Sequence, residues 1–363
     1  MEKEIKDLNI LTITQTIDES DPILSPFLKW FKTFAKKAKK CFVICLYKGN
    51  WEEVGDMEVN SLGKEKGLSR IGYLFNLYKY STPRLLKRKI DVIFVHMNSI
   101  YILLLGPLAF LTRTPIVWWK AHGNLNDKAK FALNFVDYVV TSSETGFNID
   151  TDKRRIVGQG IDTDYFSLKE KYSDEVQEIV SVSRISEVKD LETLIKAVNI
   201  LVTEHDKKGL SCKIIGKPRT VEDEDYLRSL KNLVKELDIE ENVNFVGAVP
   251  HNEIKDYYHQ ADVFVNTSDT GSLDKTVLES MASGTIVANS NYGFKEMLKP
   301  FGFCQFEQSN EQKLVENILE IDKLNKEEKR ETGKELREIV LKKHNLRQLT
   351  QRILEVFKEA ANK

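Results

Sequence analysis

Apolar and polar positions along the chain alternate between two periods. Short runs rich in β-branched residues, "LNILTIT", "CFVICLY", "DVIFVHM", "PIVWW" and "YVVTSS", read as strands. Between the first two, "PFLKWFKTFAKKAKK" repeats Phe27, Trp30, Phe31, Phe34 and Ala38 at helical spacing, which makes a βαβ unit. The last two flank a polar turn and the helical pattern "NDKAKFALNFV". Parallel strands with helices between them predict a doubly wound α/β sheet. "GIDTDYFSLKEKYSDEVQ" has neither period and predicts a linker, after which the pattern restarts. "EIVSVSRI", "LSCKIIG", "VNFVGAV", "DVFVNTS" and "TIVANS" read as strands, and "DLETLIKAVNILVTE", "DEDYLRSLKNLVKELDI", "NEIKDYYHQA" and "TVLESMAS" as helices. A second doubly wound domain is the consequence. The tail "NLRQLTQRILEVFKEAAN" predicts an amphipathic helix packing back across the first domain. The expected division is 1–168, 169–345 and a terminal helix 346–363.

The longest apolar run, "IYILLLGPLAFL", is interrupted by Gly106 and Pro107 and falls short of the ~20 residues a bilayer span needs, so it predicts a buried helix. The start lacks the order of a signal peptide, and a cytoplasmic protein is expected. A 363-residue chain with 41% hydrophobic and 30% charged residues is long enough for two globular domains, and its net charge of -1 does not point to nucleic acid. Cys41, Cys45, Cys212 and Cys304 lie in or beside strand-like runs without metal-site spacing, which predicts structural burial.

Doubly wound sheets bind ligands beyond the carboxyl ends of their strands. There, "RISEVKD" places Arg184 at a strand end and Lys189 near the next helix start, where free N–H groups already favour an anion. Two cations and a helix end suit a diphosphate. After "DVFVNTS", Thr270, Gly271 and Ser272 are small enough for close backbone approach, and Ser272 or Asp274 can cap the helix ended by Gly284. Glu279 falls inside that helix between apolar neighbours, and a carboxylate there can accept from two adjacent sugar hydroxyls.

The segments "SRISEVKDLETLIKA", "FVGAVPHNEIKDYYHQADVFVNTS" and "TVLESMASGTIVA" together resemble the retaining glycosyltransferases of the GT-B fold, in particular family 4. "KAHG" and "GQGIDTDYF" match the first domain more loosely. The resemblance implies two Rossmann-like domains facing a cleft, with the C-terminal helix returning to the first. It implies that Arg184 and Lys189 hold the donor diphosphate, that Glu279 holds the ribose, and that backbone near Val249 reads the base. His122 would contact the donor hexose at the reaction centre, with Gly271, Ser272, Leu273, Asp274 and Lys275 lining the donor loop. His96 is a weaker candidate, with a structural role the better reading.

One departure stands out. Gly271 occupies the place of the family's first paired glutamate, and glycine offers a sugar hydroxyl no side chain; Asp274 or Lys275 can substitute from the same loop. No cofactor is expected, and no metal, since the "DTD" and "DED" motifs fit a linker and a helix start. The function implied is metal-independent, retaining transfer from a nucleotide sugar to a glycan or lipid-linked sugar acceptor, in polysaccharide, glycolipid or glycoconjugate synthesis. The alternatives are a non-catalytic nucleotide-sugar-binding subunit, motivated by Gly271, and a GT-B nucleotide-sugar epimerase. A nicotinamide enzyme is disfavoured by the absence of G-x-G-x-x-G after either first strand. The basic helix 27–40 offers peripheral contact with the inner membrane face, against the simpler reading that its aromatic face packs on the first sheet and its lysines are solvated.

Overall fold

The computed structural model describes every residue except Met1, Pro22, Ile23, His122, Asn124, Asp269 and Thr270. Two compact units divide the chain: Met1–Gly158 with Leu346–Lys363, and Gln159–Asn345.

The first unit is built on seven parallel strands: β1 (Asn9–Ile17), β2 (Lys40–Lys48), β3 (Met57–Ser61), β4 (Val92–His96), β5 (Ile116–Trp119), β6 (Tyr138–Thr141) and β7 (Arg154–Ile156). Their order is β3-β2-β1-β4-β5-β6-β7. β4, β5 and β6 are buried throughout, as strands covered on both faces must be, which explains their near-continuous apolar runs. The edge strand β3, "MEVNS", is half-buried and carries too few apolar residues to announce itself.

Helices α1 (Ser25–Lys37), α2 (Arg70–Leu86), α3 (Ile100–Thr112) and α4 (Asp127–Ala132) wrap this sheet, with the C-terminal helix Leu346–Ala361 beside α1. Phe27, Trp30, Phe31 and Phe34 of α1 are all in the core, and the Phe34 ring meets Phe357 at 5.3 Å. The aromatic face of 27–40 is therefore occupied by protein, and no apolar stripe is left there for lipid. Its lysines are solvated or paired, Lys32 with Glu19 at 2.6 Å. The long apolar run forms α3, which buries Tyr101, Ile102, Leu105 and Ala109 on one side. Among the described residues no helix is long and apolar enough to cross a membrane. His96 is fully buried, bonded to Thr14 Oγ1 at 3.1 Å and packed on Phe27 at 4.3 Å, which makes it a core residue.

The second unit holds five parallel strands, β8 (Glu178–Val182), β9 (Ser211–Ile215), β10 (Val243–Gly247), β11 (Val263–Asn266) and β12 (Ile286–Asn289), in the order β10-β9-β8-β11-β12. Its helices are α5 (Leu191–Thr203), α6 (Val221–Glu236), α7 (Ile254–Gln260), α8 (Lys275–Ala282), α9 (Lys295–Leu298), α10 (Glu311–Lys323) and α11 (Lys326–Lys343). The unit begins at Gln159, ten residues before the boundary expected from the sequence. The reason is hydrogen bonding: Ile161 N–H donates to the His344 carbonyl at 2.8 Å, Arg337 donates to the Thr163 and Phe166 carbonyls, and Phe166 is buried. A segment without periodicity is thus ordered by partners far along the chain. All four cysteines are free and buried.

Candidate functional site

The polar loops of the second unit converge at the carboxyl ends of β8, β11 and β12. After β8 a 3-10 turn, Glu187–Lys189, leads into Asp190, whose left-handed backbone (φ 46°) opens α5. That turn directs Lys189 toward α8: its Nζ donates to Asp274 Oδ1 at 2.9 Å and to Ser268 Oγ at 3.3 Å. The Lys189 carbonyl accepts from Thr267 Oγ1 at 2.5 Å, which ties the same turn to the loop after β11. Arg184 is exposed, its Nε donating to Ser186 Oγ at 3.2 Å. The two predicted cations therefore differ: one is anchored and the other is open to solvent.

Asp274 stands at the N-cap of α8 but its side chain makes no capping bond. Its Oδ2 accepts from Asn266 Nδ2 at 3.2 Å, Ser268 Oγ at 2.8 Å and Asn291 Nδ2 at 2.9 Å, while Oδ1 takes Lys189. Among the described residues Oδ2 thus has three donors and Oδ1 one. Asp274 is an anchor for Lys189, and Oδ1, with Lys189 as its one donor among the described residues, keeps an acceptor site.

Glu279 sits one turn into α8 and is buried. His251 Nε2 meets its Oε1 at 3.1 Å, and the Tyr258 hydroxyl donates to Oε2 at 3.2 Å. Among the described residues these two partners leave about two acceptor sites unfilled, the number that two adjacent hydroxyls would take. Burial, then the Glu279 carboxylate, pushes the Tyr258 phenol well above its ordinary range, so it remains a donor. Lys275 precedes Glu279 by one turn; burial pushes its ammonium down to about 8, with Glu279 opposing. Sequence reasoning missed His251 and Tyr258. The available signal was that a buried glutamate needs partners and that "PHNEIKDYYHQ" supplies donors on the neighbouring helix and the turn before it.

The remaining predicted residues frame this pair of carboxylates. Leu273 is buried and its carbonyl accepts from Gln159 Nε2 at 3.2 Å; the half-buried Ser272 accepts at its carbonyl from Asn291 Nδ2 at 2.7 Å. Val249 is half-buried two residues beyond β10. Gly284 closes α8 with a left-handed φ of 77°. His122 and Thr270 lie outside the described residues.

Gly271 has φ 67°, and a Cβ built there would stand 2.0 Å from the Tyr292 hydroxyl. The space a side chain at 271 would enter is filled by Tyr292. Gly271→Ala is expected to lower stability by about 1–2 kcal/mol through its left-handed backbone. Adding Tyr292→Ala removes the clash and leaves that backbone cost, so chemical denaturation should find the double variant still destabilised. Full recovery would show that the tyrosine alone dictates glycine.

Set beside known proteins, the two sheets define the class first. The chain superposes on Anabaena HepE in complex with UDP with a TM-score of 0.75, over 97% of this chain and 100% of that one, at 15% identity. The fold is GT-B, that of a large group of glycosyltransferases. Residues 166–338, within the second unit, match the family described as Glycosyl transferases group 1. The α-monoglucosyldiacylglycerol synthase of Streptococcus pneumoniae is 28% identical over 200 residues, covering 50% of this chain and 42% of that protein. An uncharacterized glycosyltransferase of Haemophilus influenzae is 34% identical over 144 residues, 39% of this chain and 38% of that one. The chain thus aligns with less than half the length of either curated relative.

Proposed function

We propose that the protein is a retaining, metal-independent glycosyltransferase that moves a sugar from a nucleotide-sugar donor to an acceptor hydroxyl. The observation that carries this reading is that Lys189 is tied through Asp274 to the start of α8, while Glu279 lies on that same helix with acceptor sites unfilled. In this reading the diphosphate lies between Arg184, Lys189 and the free N–H groups that open α8, and the ribose hydroxyls donate to Glu279. The UDP held by the structural neighbour supports a uridine donor.

The acceptor oxygen bonds to the anomeric carbon on the face from which the diphosphate leaves. The carbon–oxygen bond to phosphate breaks, and the acceptor proton passes to the departing phosphate. Arg184 and Lys189 stabilise the charge that develops there, the role of preorganised cations at a leaving group. A glycan or lipid-linked sugar is the proposed acceptor, in cell-surface polysaccharide, glycolipid or glycoconjugate synthesis, and one relative, named as a monoglucosyldiacylglycerol synthase, supports the glycolipid branch of that reading.

Proton NMR of slow UDP-glucose hydrolysis in the presence of EDTA tests the chemistry. Retention predicts that α-glucose appears before mutarotation. First appearance of β-glucose would contradict retention, and turnover only after magnesium is added would contradict metal independence. UDP-glucose bound without turnover, with or without an acceptor panel, would favour the non-catalytic subunit.

A further inference from the structure

Helix α2 carries its apolar residues on the wrong side for a core helix. Ile71, Leu74, Phe75 and Tyr78 recur at i, i+3, i+4 and i+7, and all four are exposed, Ile71 at 80% and Phe75 at 67%. Core contact is made by a different row, Leu77, Ser81 and Leu85. An exposed stripe of four large apolar side chains on one helix is an interaction surface by default.

Charge identifies the partner. Residues 66–90 contain no aspartate or glutamate and seven cations, Lys66, Arg70, Lys79, Arg84, Lys87, Arg88 and Lys89, in a chain whose net charge is only -1. Arg84 pairs with Glu58, but Arg70, Lys79, Lys87, Arg88 and Lys89 are exposed and make no ion pair among the described residues. A second copy of this chain would bring the same basic segment against itself. A bilayer with anionic headgroups brings the opposite charge to the cations and hydrocarbon to the stripe.

We infer that the protein docks on anionic membranes through α2, with Ile71, Phe75 and their neighbours inserted at the headgroup boundary and the cations of 66–90 on the lipid phosphates. This places the membrane surface on a different helix from 27–40, whose aromatic face is in the core. The inference does not depend on the donor reading.

Vesicle flotation tests it, using phosphatidylcholine alone and phosphatidylcholine with phosphatidylglycerol. Binding is expected only to the anionic vesicles and to weaken with added salt. Ile71→Ser with Phe75→Ser should weaken it about tenfold or more, as should Lys87→Glu with Arg88→Glu and Lys89→Glu. These residues are exposed, so the variants should keep the wild-type melting temperature and UDP affinity. Lys29→Glu with Lys36→Glu, on the solvent side of α1, should leave flotation unchanged. Failure of the wild type to float, unchanged flotation of the α2 variants, or a wild-type dimer in sedimentation that the α2 substitutions dissociate would overturn the inference. Loss of UDP binding with flotation intact would count against the proposed function alone.

Discussion

Glu279→Gln is expected to weaken UDP binding by about a hundredfold in calorimetry while leaving the protein folded. The carboxylate accepts from His251 and Tyr258 and keeps about two acceptor sites, which in the proposed complex receive the two ribose hydroxyls. A hydrogen bond to a charged group contributes about 1.5–3 kcal/mol, and the amide replaces one charged oxygen with a donor that cannot accept. Glu279→Ala should cost more for a second reason. It leaves the buried Tyr258 hydroxyl without its acceptor, at about 1–3 kcal/mol of stability. Comparing the two variants separates site from scaffold. If Glu279→Gln binds UDP within about twofold of wild type, the carboxylate serves only to hold His251 and Tyr258, and the ribose assignment falls.

The second large effect is expected at Lys189. Lys189→Met removes one of the two cations assigned to the diphosphate and leaves Asp274 with only neutral donors, Asn266, Ser268 and Asn291. Both affinity and stability should fall, the latter by about 1–3 kcal/mol for a carboxylate that loses its counter-charge in a partly buried site. Lys189→Met with Asp274→Asn pairs the removals, so stability should return toward wild type while UDP affinity stays low. Recovery of both would mean that Lys189 acts only as the counter-ion of Asp274, and that the diphosphate depends on other groups. Asp274→Asn alone should change nucleotide affinity, through a loosened Lys189, more than sugar preference.

The sequence disclosed most of the frame because periodicity is local. The β1–α1–β2 unit and every strand of the second unit were legible within three residues of their observed ends, since parallel strands buried on both faces read as apolar runs. The edge strand β3 was not, because a half-covered strand needs few apolar residues. Within the site, Lys189 and Glu279 could be singled out from their places after strands. Their partners could not: Tyr258 and His251 reach Glu279 across 21 and 28 residues, and the four donors around Asp274 come from three separate loops. Periodicity also gives no sense of direction. The stripe on α1 faces the core and the stripe on α2 faces solvent, though both recur at helical spacing.

The same distinction explains what becomes of Gly271. From sequence it is a missing glutamate; in the fold it is the position that admits Tyr292. The space that a side chain at 271 would enter is held by Tyr292.

Hydrogen–deuterium exchange with and without UDP-glucose tests the central claim most directly, because it locates the donor without altering a residue. The account predicts protection concentrated in the second unit at 184–190 and 271–279, with a lesser effect around Val249, and α10 unchanged. Binding accompanied by protection elsewhere and none in those stretches would contradict it.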